Sequence, residues 1–229
     1  LRSTNGQSLK MFVCGHTVYD YPHIGNARTF VFFDMFARYL RSQGIEINYL
    51  QNITNIDDKI IQRAINEKTS WNTIADKFEQ IFYDGNKRLN VASVNTFAKS
   101  TDFIPEVIAQ VQTLIKKGHA YKIEADGWYF DLTTYPEYGQ LARRTVAQAE
   151  DGVTRVDNSD KKRNAGDFCL WKLTTDNRQL TTEPSWPSAE LGNGRPGWHI
   201  EDTAITEKFF GPQYDIHGGA VDLKFPHHE

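Results

Sequence analysis

The chain has 229 residues, which is long enough for one large domain or for one domain that carries an insertion. Its composition, with 39% hydrophobic and 24% charged residues, is that of an ordinary globular protein. No apolar run approaches the roughly 20 residues that span a bilayer, so we expect a soluble, cytoplasmic protein that does not contact membranes. The formal net charge of −3 argues against a uniformly basic nucleic-acid binder.

The N-terminal half of the chain predicts alternating strands and helices. A short, mostly apolar run covers residues 10–14. Apolar residues recur at helical spacing through residues 27–43 and alternate with polar ones through residues 45–53. This strand, helix, strand order is the βαβ unit of nucleotide-binding folds. Further helices are predicted over residues 56–65, 71–88 and 104–117.

The character of the sequence changes after residue 120. Residues 121–156 are short aromatic and β-branched pieces broken by glycine and proline, and residues 184–197 form a long loop rich in proline and glycine. We therefore predict an α/β fold in which residues 1–120 and 166–229 are two halves of a catalytic domain. Residues 121–165 would form a small β-rich connective insertion.

A first chemical motif lies where the first strand meets the first helix. Cys14 and Gly15 end the strand, and His23-Ile24-Gly25-Asn26 opens the helix. In parallel α/β sheets, ligands bind beyond the carboxyl ends of the strands, and a helix N-terminus favours phosphate groups. The alternative is that His23 and Gly25 are only turn and cap residues, and these residues alone leave both interpretations open.

Six segments together resemble the cysteinyl-tRNA synthetase family. In the first half of the chain they are Cys14-Gly15-x-Thr17-Val18-Tyr19-Asp20, His23-Ile24-Gly25-Asn26-Ala27-Arg28 and Asn52-Ile53-Thr54-x-Ile56-Asp57-Asp58-Lys59. In the second half they are Gly194-Arg195-Pro196-Gly197-Trp198-His199-Ile200-Glu201, Tyr214-Asp215-Ile216-His217-Gly218-Gly219 and Asp222-Leu223-x-Phe225-Pro226-His227-His228-Glu229. The resemblance covers nearly the whole chain.

The resemblance implies a Rossmann-like class I synthetase catalytic domain. Such an enzyme activates L-cysteine with ATP and Mg²⁺ to cysteinyl-adenylate and transfers the cysteine to the 3′ end of tRNA(Cys). We expect a monomer. The family's Lys-Met-Ser-Lys-Ser loop and anticodon-binding domain do not occur in this sequence, so we expect the chain to be part of a longer protein and to be unable to charge tRNA by itself.

The resemblance also implies one zinc ion, bound by Cys14, Asp202, His227 and a fourth residue beyond the chain end. Asp202 stands where the family has a cysteine. Zinc accepts carboxylate oxygen as well as sulfur and nitrogen, so we expect zinc binding to persist, with more tolerance for other metals. A metal ion that binds the substrate thiolate would select cysteine over serine. A pocket without a metal would distinguish these two amino acids by only a few kcal/mol.

The remaining site residues are also carried over from the resemblance. The cysteine pocket would comprise Cys14, Gly15, Thr54 and Trp198. His23 and Asn26 would be catalytic, and Asn26 replaces a histidine of the family, so it can form hydrogen bonds but cannot carry charge. ATP would contact His23, Gly25, Asn26, His217, Gly218, Gly219 and Asp222.

Other residues have simpler interpretations. Asp57 and Asp58 fit the first turn of a helix better than an acid–base pair. Cys169 stands where the family usually has a small apolar residue, so the resemblance implies a buried structural thiol rather than a ligand. Two cysteines are too few for a disulfide scaffold. We expect the aromatic residues Trp128, Tyr129 and Phe130 to be core.

Two alternatives to a tRNA synthetase stay open. The first is a ligase that joins cysteine to an amino-sugar in mycothiol synthesis through the same adenylate chemistry. The second is a non-catalytic paralogue that binds RNA or a partner, which the replacements at Asn26 and Asp202 suggest.

Overall fold

The computed structural model describes residues 8–143, 161–174 and 183–229. The part of the predicted insertion at residues 144–160 lies outside the described residues. The helices described are α1 Ile24–Ser42, α2 Asp58–Glu67, α3 Trp71–Arg88, α4 Ile104–Lys116 and α5 Trp198–Phe210. The strands described are β1 Leu9–Thr17, β2 Ile47–Thr54, β3 Thr96–Lys99, β4 Ala120–Ile123, β5 Gly127–Phe130, β6 Phe168–Leu173, β7 Gly194–Pro196 and β8 Ile216–Gly218.

The chain divides into two compact units. Unit 1 comprises Leu1–Asp102 and Ile205–Ala220, and unit 2 comprises Phe103–Ala204 and Val221–Glu229. The division into a split catalytic domain with an insertion at residues 121–165 stays a prediction. Within the described parts of both units, no helix is long and apolar enough to cross a membrane.

Unit 1 contains a parallel four-stranded sheet in the order β3-β2-β1-β8. β1 and β2 are nearly continuous runs of buried residues, as expected for central strands that are covered on both faces. The predicted α/β class is therefore confirmed. The two short strands β3 and β8, which flank this central pair, carry no periodic signal in the sequence.

Helix α1 begins three residues earlier than its apolar periodicity predicts. His23 is the N-cap, and the side chains of His23 and Asn26 satisfy backbone N–H groups of the first turn. The helix buries Phe30, Ala37 and Leu40. It ends at Ser42, before Gly44, whose positive φ of 75° suits a glycine that stops a helix.

The next two helices also begin at capping side chains. Asp57 is the N-cap of α2, and its carboxylate accepts a hydrogen bond from the Lys59 backbone N–H at 2.8 Å. This confirms the helix-start interpretation of Asp57 and Asp58. Ser70 caps α3, whose buried face packs Phe78 and Phe82 into the core of unit 1.

Unit 2 contains an antiparallel sheet in the order β4-β5-β6-β7. The predicted β-rich character is thus confirmed for residues 120–130, while β6 and β7 lie beyond the predicted insertion. Tyr129 and Phe130 are buried as expected, and Trp128 packs against the same core. Cys169 is buried in an apolar cluster with Tyr121, as expected for a structural thiol.

Candidate active site

Cys14 and Gly15 lie in a bulge of β1. The register between β1 and β2 shifts between Val13 and His16, so β1 has one more residue than β2 at this point. The Gly15 N–H donates to the Asn52 side-chain Oδ1 at 2.5 Å. A Cβ on residue 15 would overlap the Asn52 carbonyl group, which explains the glycine. Bulges redirect neighbouring side chains, and Cys14 lies within this one.

Asn52 links the bulge to the end of β2. Its side-chain Nδ2 lies 3.3 Å from the Thr54 hydroxyl oxygen, and both residues are buried. Thr54 pairs with Thr17 in the sheet, and its carbonyl accepts a hydrogen bond from the Val18 N–H at 3.1 Å. The structure thus brings Cys14, Gly15 and Thr54 to adjacent strand ends of unit 1. Asn52, for which the sequence predicts no separate role, is the residue that joins them.

The start of α1 fixes the tautomer of His23. Its Nδ1 accepts a hydrogen bond from the Gly25 N–H at 3.0 Å, so in the neutral ring the proton lies on Nε2. The His23 backbone N–H donates to the Asn26 Oδ1 at 3.1 Å. These two bonds form a reciprocal capping box. His23 Nε2–H and Asn26 Nδ2–H are the donor groups that this cap leaves for a ligand.

The structure gives a steric reason for glycine at position 25. A Cβ at this position would lie 2.8 to 2.9 Å from ring atoms of His23. The glycine therefore allows the imidazole to fold back over the helix start and cap it. The cap interpretation of His23 and Gly25 is confirmed, and it is compatible with a ligand at the same helix N-terminus.

His217 and Gly218 lie on β8, beside β1. The register pairs Phe12 with His217 and Val13 with Gly218. The His217 Nδ1 lies 2.5 Å from the Tyr214 hydroxyl group, and its ring packs edge-on against Phe12. A Cβ on Gly218 would overlap the ring of Phe33 in α1, so packing by itself requires this glycine. Gly219 follows the strand directly.

The carboxyl ends of three neighbouring strands therefore carry predicted site residues. β2 contributes Thr54, β1 contributes Cys14 and Gly15, and β8 contributes Gly218. The β1–α1 connection then leads to His23 at the helix N-terminus. A crevice at the carboxyl ends of parallel strands, beside a helix start, is where nucleotides bind in this class of sheet.

His16 was not singled out from the sequence. Its imidazole is buried, stacks on Phe82 with ring centroids 5.8 Å apart, and has Nε2 3.3 Å from the Asp20 carbonyl oxygen. Burial is the main cause that lowers the pKa of His16, so the ring is neutral at physiological pH. His16 thus connects the loop between β1 and α1 to Phe82 of α3.

A second group of predicted residues meets within unit 2. The Asp202 Oδ2 lies 3.2 Å from the His227 Nε2, and both side chains are almost fully buried. Trp198 stacks on the His227 ring with centroids 4.1 Å apart. A buried carboxylate that converges with a buried imidazole supplies two ligand types that zinc accepts, so these residues fit a metal ion.

His199 also belongs to this group, although no role was predicted for it. Its Nδ1 lies 3.1 Å from the His227 Nδ1, so His227 contacts Asp202 with one ring nitrogen and His199 with the other. Burial, reinforced by His227 and His228, holds the pKa of His199 well below its usual value. The available sequence signal was its position within the family-like segment Trp198-His199-Ile200-Glu201.

The last predicted ATP contact, Asp222, is exposed on a short 3₁₀ turn, Val221–Leu223, in unit 2. Nearby, the Glu229 carboxylate accepts hydrogen bonds from the backbone N–H groups of Gly139, Leu141 and Ala142 at 2.7 to 3.0 Å. The end of the described chain is thereby tied to the loop after β5.

The chain is similar to curated proteins over nearly its whole length. It is 50% identical over 228 residues to a protein of Thermoplasma acidophilum named cysteine–tRNA ligase, which covers 100% of this chain and 49% of the relative. It is 47% identical over 219 residues to a Haemophilus influenzae protein of the same name, covering 96% of this chain and 46% of the relative. The chain therefore spans about half the length of the curated relatives it matches.

The fold is also similar to that of a solved synthetase. Mycobacterium tuberculosis methionyl-tRNA synthetase in complex with methionyl-adenylate matches with a TM-score of 0.70 at 13% identity, over 95% of this chain and 52% of that one. This likeness supports the predicted Rossmann-like fold. A family model described as tRNA synthetases class I (C) catalytic domain matches residues 1–229. The chain belongs to this family, the class I (C) tRNA synthetase catalytic domains.

Proposed function

We propose that this chain is the amino-acid-activating part of a cysteine–tRNA ligase. The observation that carries the proposal is the identity of 43–50% to curated proteins named cysteine–tRNA ligase, over 96–100% of the chain. The residues at the strand ends of unit 1 and the start of α1 supply the groups that such chemistry needs. No feature of the described residues favours the amino-sugar ligase or the non-catalytic paralogue over this function.

The first step would form cysteinyl-adenylate. A carboxylate oxygen of cysteine attacks the α-phosphorus of ATP, a P–O bond forms, and the bond to pyrophosphate breaks as pyrophosphate leaves. His23 would donate its Nε2–H to a phosphate oxygen, since its Nδ1 is occupied by the Gly25 N–H. Asn26 would donate its Nδ2–H, because its Oδ1 caps the His23 N–H. Fixed donors of this kind stabilise charge that develops in the transition state.

The nucleotide would lie across the carboxyl ends of β1 and β8. We propose that Gly218 and Gly219 admit the adenine, with His217 beside it and Asp222 near the ribose. His217 is held by the Tyr214 hydroxyl group at 2.5 Å, which orients its ring. ATP would bind as its Mg²⁺ complex, and the N-terminus of α1 with Gly25 would face the phosphates.

A metal ion would be held by Cys14, Asp202 and His227. When bound, zinc would supply direct ligation of the substrate sulfur, a bond that serine forms poorly. Trp198 would wall the amino-acid pocket through its stack on His227, and Thr54 and Gly15 would orient the substrate amino group. Because Asp202 offers oxygen rather than sulfur, this site should accept other divalent metals more readily than a site with two thiolates.

The second step would transfer cysteine to RNA. A hydroxyl group of the terminal ribose of tRNA attacks the carbonyl carbon of the adenylate, an ester bond forms, and AMP leaves. This step separates the proposed ligase from an enzyme that joins cysteine to an amino-sugar. The monomeric state and the cytoplasmic location expected from the sequence stay predictions.

The experiment that tests this proposal measures ATP–pyrophosphate exchange with cysteine or serine as the amino acid. We expect exchange with cysteine, a much lower rate with serine, and loss of the cysteine-dependent rate after metal removal. The absence of exchange with either amino acid, in a protein extended to the length of the relatives, would contradict the proposal.

A substitution at Asn26 tests the catalytic assignment separately. Asn26→Asp keeps an oxygen that can cap the His23 N–H but replaces the Nδ2–H donor with a negative charge. We expect the exchange rate to fall by about tenfold or more, since removing a preorganised donor weakens transition-state binding. Circular dichroism should show an unchanged helix content. Arg28→Ala, on the exposed side of the same helix, is the matched control.

A further inference from the structure

The Glu229 carboxylate is held by three backbone N–H groups of the loop after β5. Its Oε1 accepts hydrogen bonds from Gly139 at 2.8 Å and Leu141 at 3.0 Å, and its Oε2 accepts one from Ala142 at 2.7 Å. Hydrogen bonds to a charged acceptor are stronger than those between neutral groups. Glu229 therefore joins its own segment firmly to this loop, although the proposed activation step gives it no role.

The same loop also holds the chain on the other side of His227. The Tyr138 hydroxyl donates to the Pro226 carbonyl oxygen at 2.8 Å. The Tyr138 ring packs edge-on against Phe225, with ring centroids 5.5 Å apart, and Phe225 is buried. His227 thus lies between two points at which the chain is attached to one loop, Phe225-Pro226 before it and Glu229 after it.

The loop is a firm support because it packs on the antiparallel sheet of unit 2. The Tyr138 ring contacts Phe130 of β5 and Phe168 of β6, with ring centroids 5.7 and 6.0 Å apart. Phe168 also packs on the His199 ring at 4.8 Å, and the His199 Nδ1 lies 3.1 Å from the His227 Nδ1. The sheet therefore contacts His227 by two routes, the ring through His199 and the backbone through the loop.

His227 needs this outside support because it does not lie on a helix or a strand. It follows the short 3₁₀ turn Val221–Leu223 within a run of turn residues. Its Nε2 nevertheless lies 3.2 Å from the Asp202 Oδ2, in an almost fully buried position. A metal ligand has to be placed to within about 0.2 Å, so a ligand on a turn depends on the contacts that fix the turn.

We propose that Glu229 is a positioning residue for the metal ligand His227, an inference that rests on the proposed function. Glu229 fixes the turn against the loop after β5, and this attachment keeps the His227 Nε2 directed at Asp202. Both Glu229 oxygens accept backbone N–H groups, so Glu229 acts through His227 and not as a metal ligand. Loss of a partner that orients a ligand lowers metal affinity by about 10- to 100-fold in other metal sites.

The test titrates Co²⁺ into metal-free protein extended to the length of the relatives and follows the visible absorption of the bound ion. Co²⁺ is used because its absorption bands report the arrangement of its ligands, whereas Zn²⁺ has a filled d shell. In Glu229→Ala we expect the Kd for Co²⁺ to rise about tenfold or more, with shifted bands in the loaded protein. Glu137→Ala is the matched control, because it removes an exposed carboxylate from the same loop, and it should leave the Kd and the bands unchanged.

Two conservative variants separate positioning from a merely structural role. Glu229→Gln keeps one acceptor oxygen but turns an amide NH₂ group towards the Ala142 N–H, so its Kd should lie between those of wild type and Glu229→Ala. Tyr138→Phe removes only the hydrogen bond to Pro226 and should raise the Kd by a smaller factor. Urea titrations show whether each variant is folded under the conditions of the metal titration. A merely structural role lowers stability but leaves folded protein with the wild-type Kd and spectrum.

The comparison of Glu229→Ala with Glu137→Ala decides between the two roles. A wild-type Kd and spectrum in folded Glu229→Ala, or an equal rise of the Kd in Glu137→Ala, would overturn the inference and leave the proposed function intact. If Glu229→Ala does not fold, Glu229→Gln takes its place, and an unchanged Kd there would also overturn the inference, as would wild-type protein that binds no Co²⁺. Failure of the proposed function is seen separately, as the absence of cysteine-dependent pyrophosphate exchange in the wild-type protein.

Discussion

Replacement of Asn52 tests how the strand ends of unit 1 are joined. In Asn52→Ala, the part-buried Gly15 N–H loses its 2.5 Å acceptor and the contact with the Thr54 hydroxyl disappears. Leaving a buried donor without its partner costs about 1–3 kcal/mol, and a lost neutral hydrogen bond about 1 kcal/mol. Because Gly15 is only partly buried, we expect a total of about 2–3 kcal/mol.

Amide hydrogen exchange of β1 and β2 measures this loss locally. The free energy of opening for these strands should fall by the expected amount, while the strands of unit 2 keep theirs. Asn48→Ala is the matched control, since Asn48 lies on the same strand and is exposed; its effect should stay within about 0.5 kcal/mol. A loss below about 1 kcal/mol for Asn52→Ala would refute the reasoning. In active protein, the KM for cysteine should also rise.

Three further predictions concern stability and metal content. Burial alone would raise the pKa of Asp34, but hydrogen bonds from Arg38 and from the Ala92–Ser93 segment lower it below its usual value. Asp34→Asn should therefore destabilise unit 1 at neutral pH. In acid-unfolding curves the difference from wild type should begin to shrink as the pH falls below about 4, the pKa of the unfolded carboxyl, and should vanish only below the lowered pKa of the folded protein. Gly85→Ala, in the last turn of α3, should raise the unfolding free energy by about 1 kcal/mol in urea titrations, because alanine favours a helix and a Cβ there meets no atom within 4 Å. A decrease would show that the helix cannot accept a methyl group at this position. Asp202→Ala should lower the zinc content measured by mass spectrometry, whereas Glu207→Ala on the exposed side of α5 should not; equal stoichiometry in both would count against Asp202 as a ligand.

Much of unit 1 was predictable because its elements are long and periodic. The apolar run of β1, the helical spacing of α1 and α3, and the capping carboxylate of Asp57 all follow from local rules. The bulge at Cys14 and Gly15 was not predictable, because it depends on a hydrogen bond to Asn52, which lies 37 residues later in the chain. The three-residue strand β8 is too short to show a period.

The site in unit 2 shows why functional helices are hard to predict. α5 buries polar residues such as His199, Glu201 and Asp202 together with Ile200 and Ala204. A helix whose polar and apolar residues are both buried has no amphipathic stripe, so periodicity gives no clear helix signal. The family resemblance predicted Asp202 as a metal ligand. The place of His199 in this group follows only from the distance of its ring to His227 in the structure.

The measurement that tests the central claim most directly is cysteine-dependent ATP–pyrophosphate exchange, with serine as the competing amino acid, on protein extended to the length of its relatives. The account predicts exchange with cysteine, a rate with serine lower by several orders of magnitude, and loss of the cysteine rate when metal is removed. Equal rates with the two amino acids, or no exchange with cysteine in the metal-loaded protein, would contradict it.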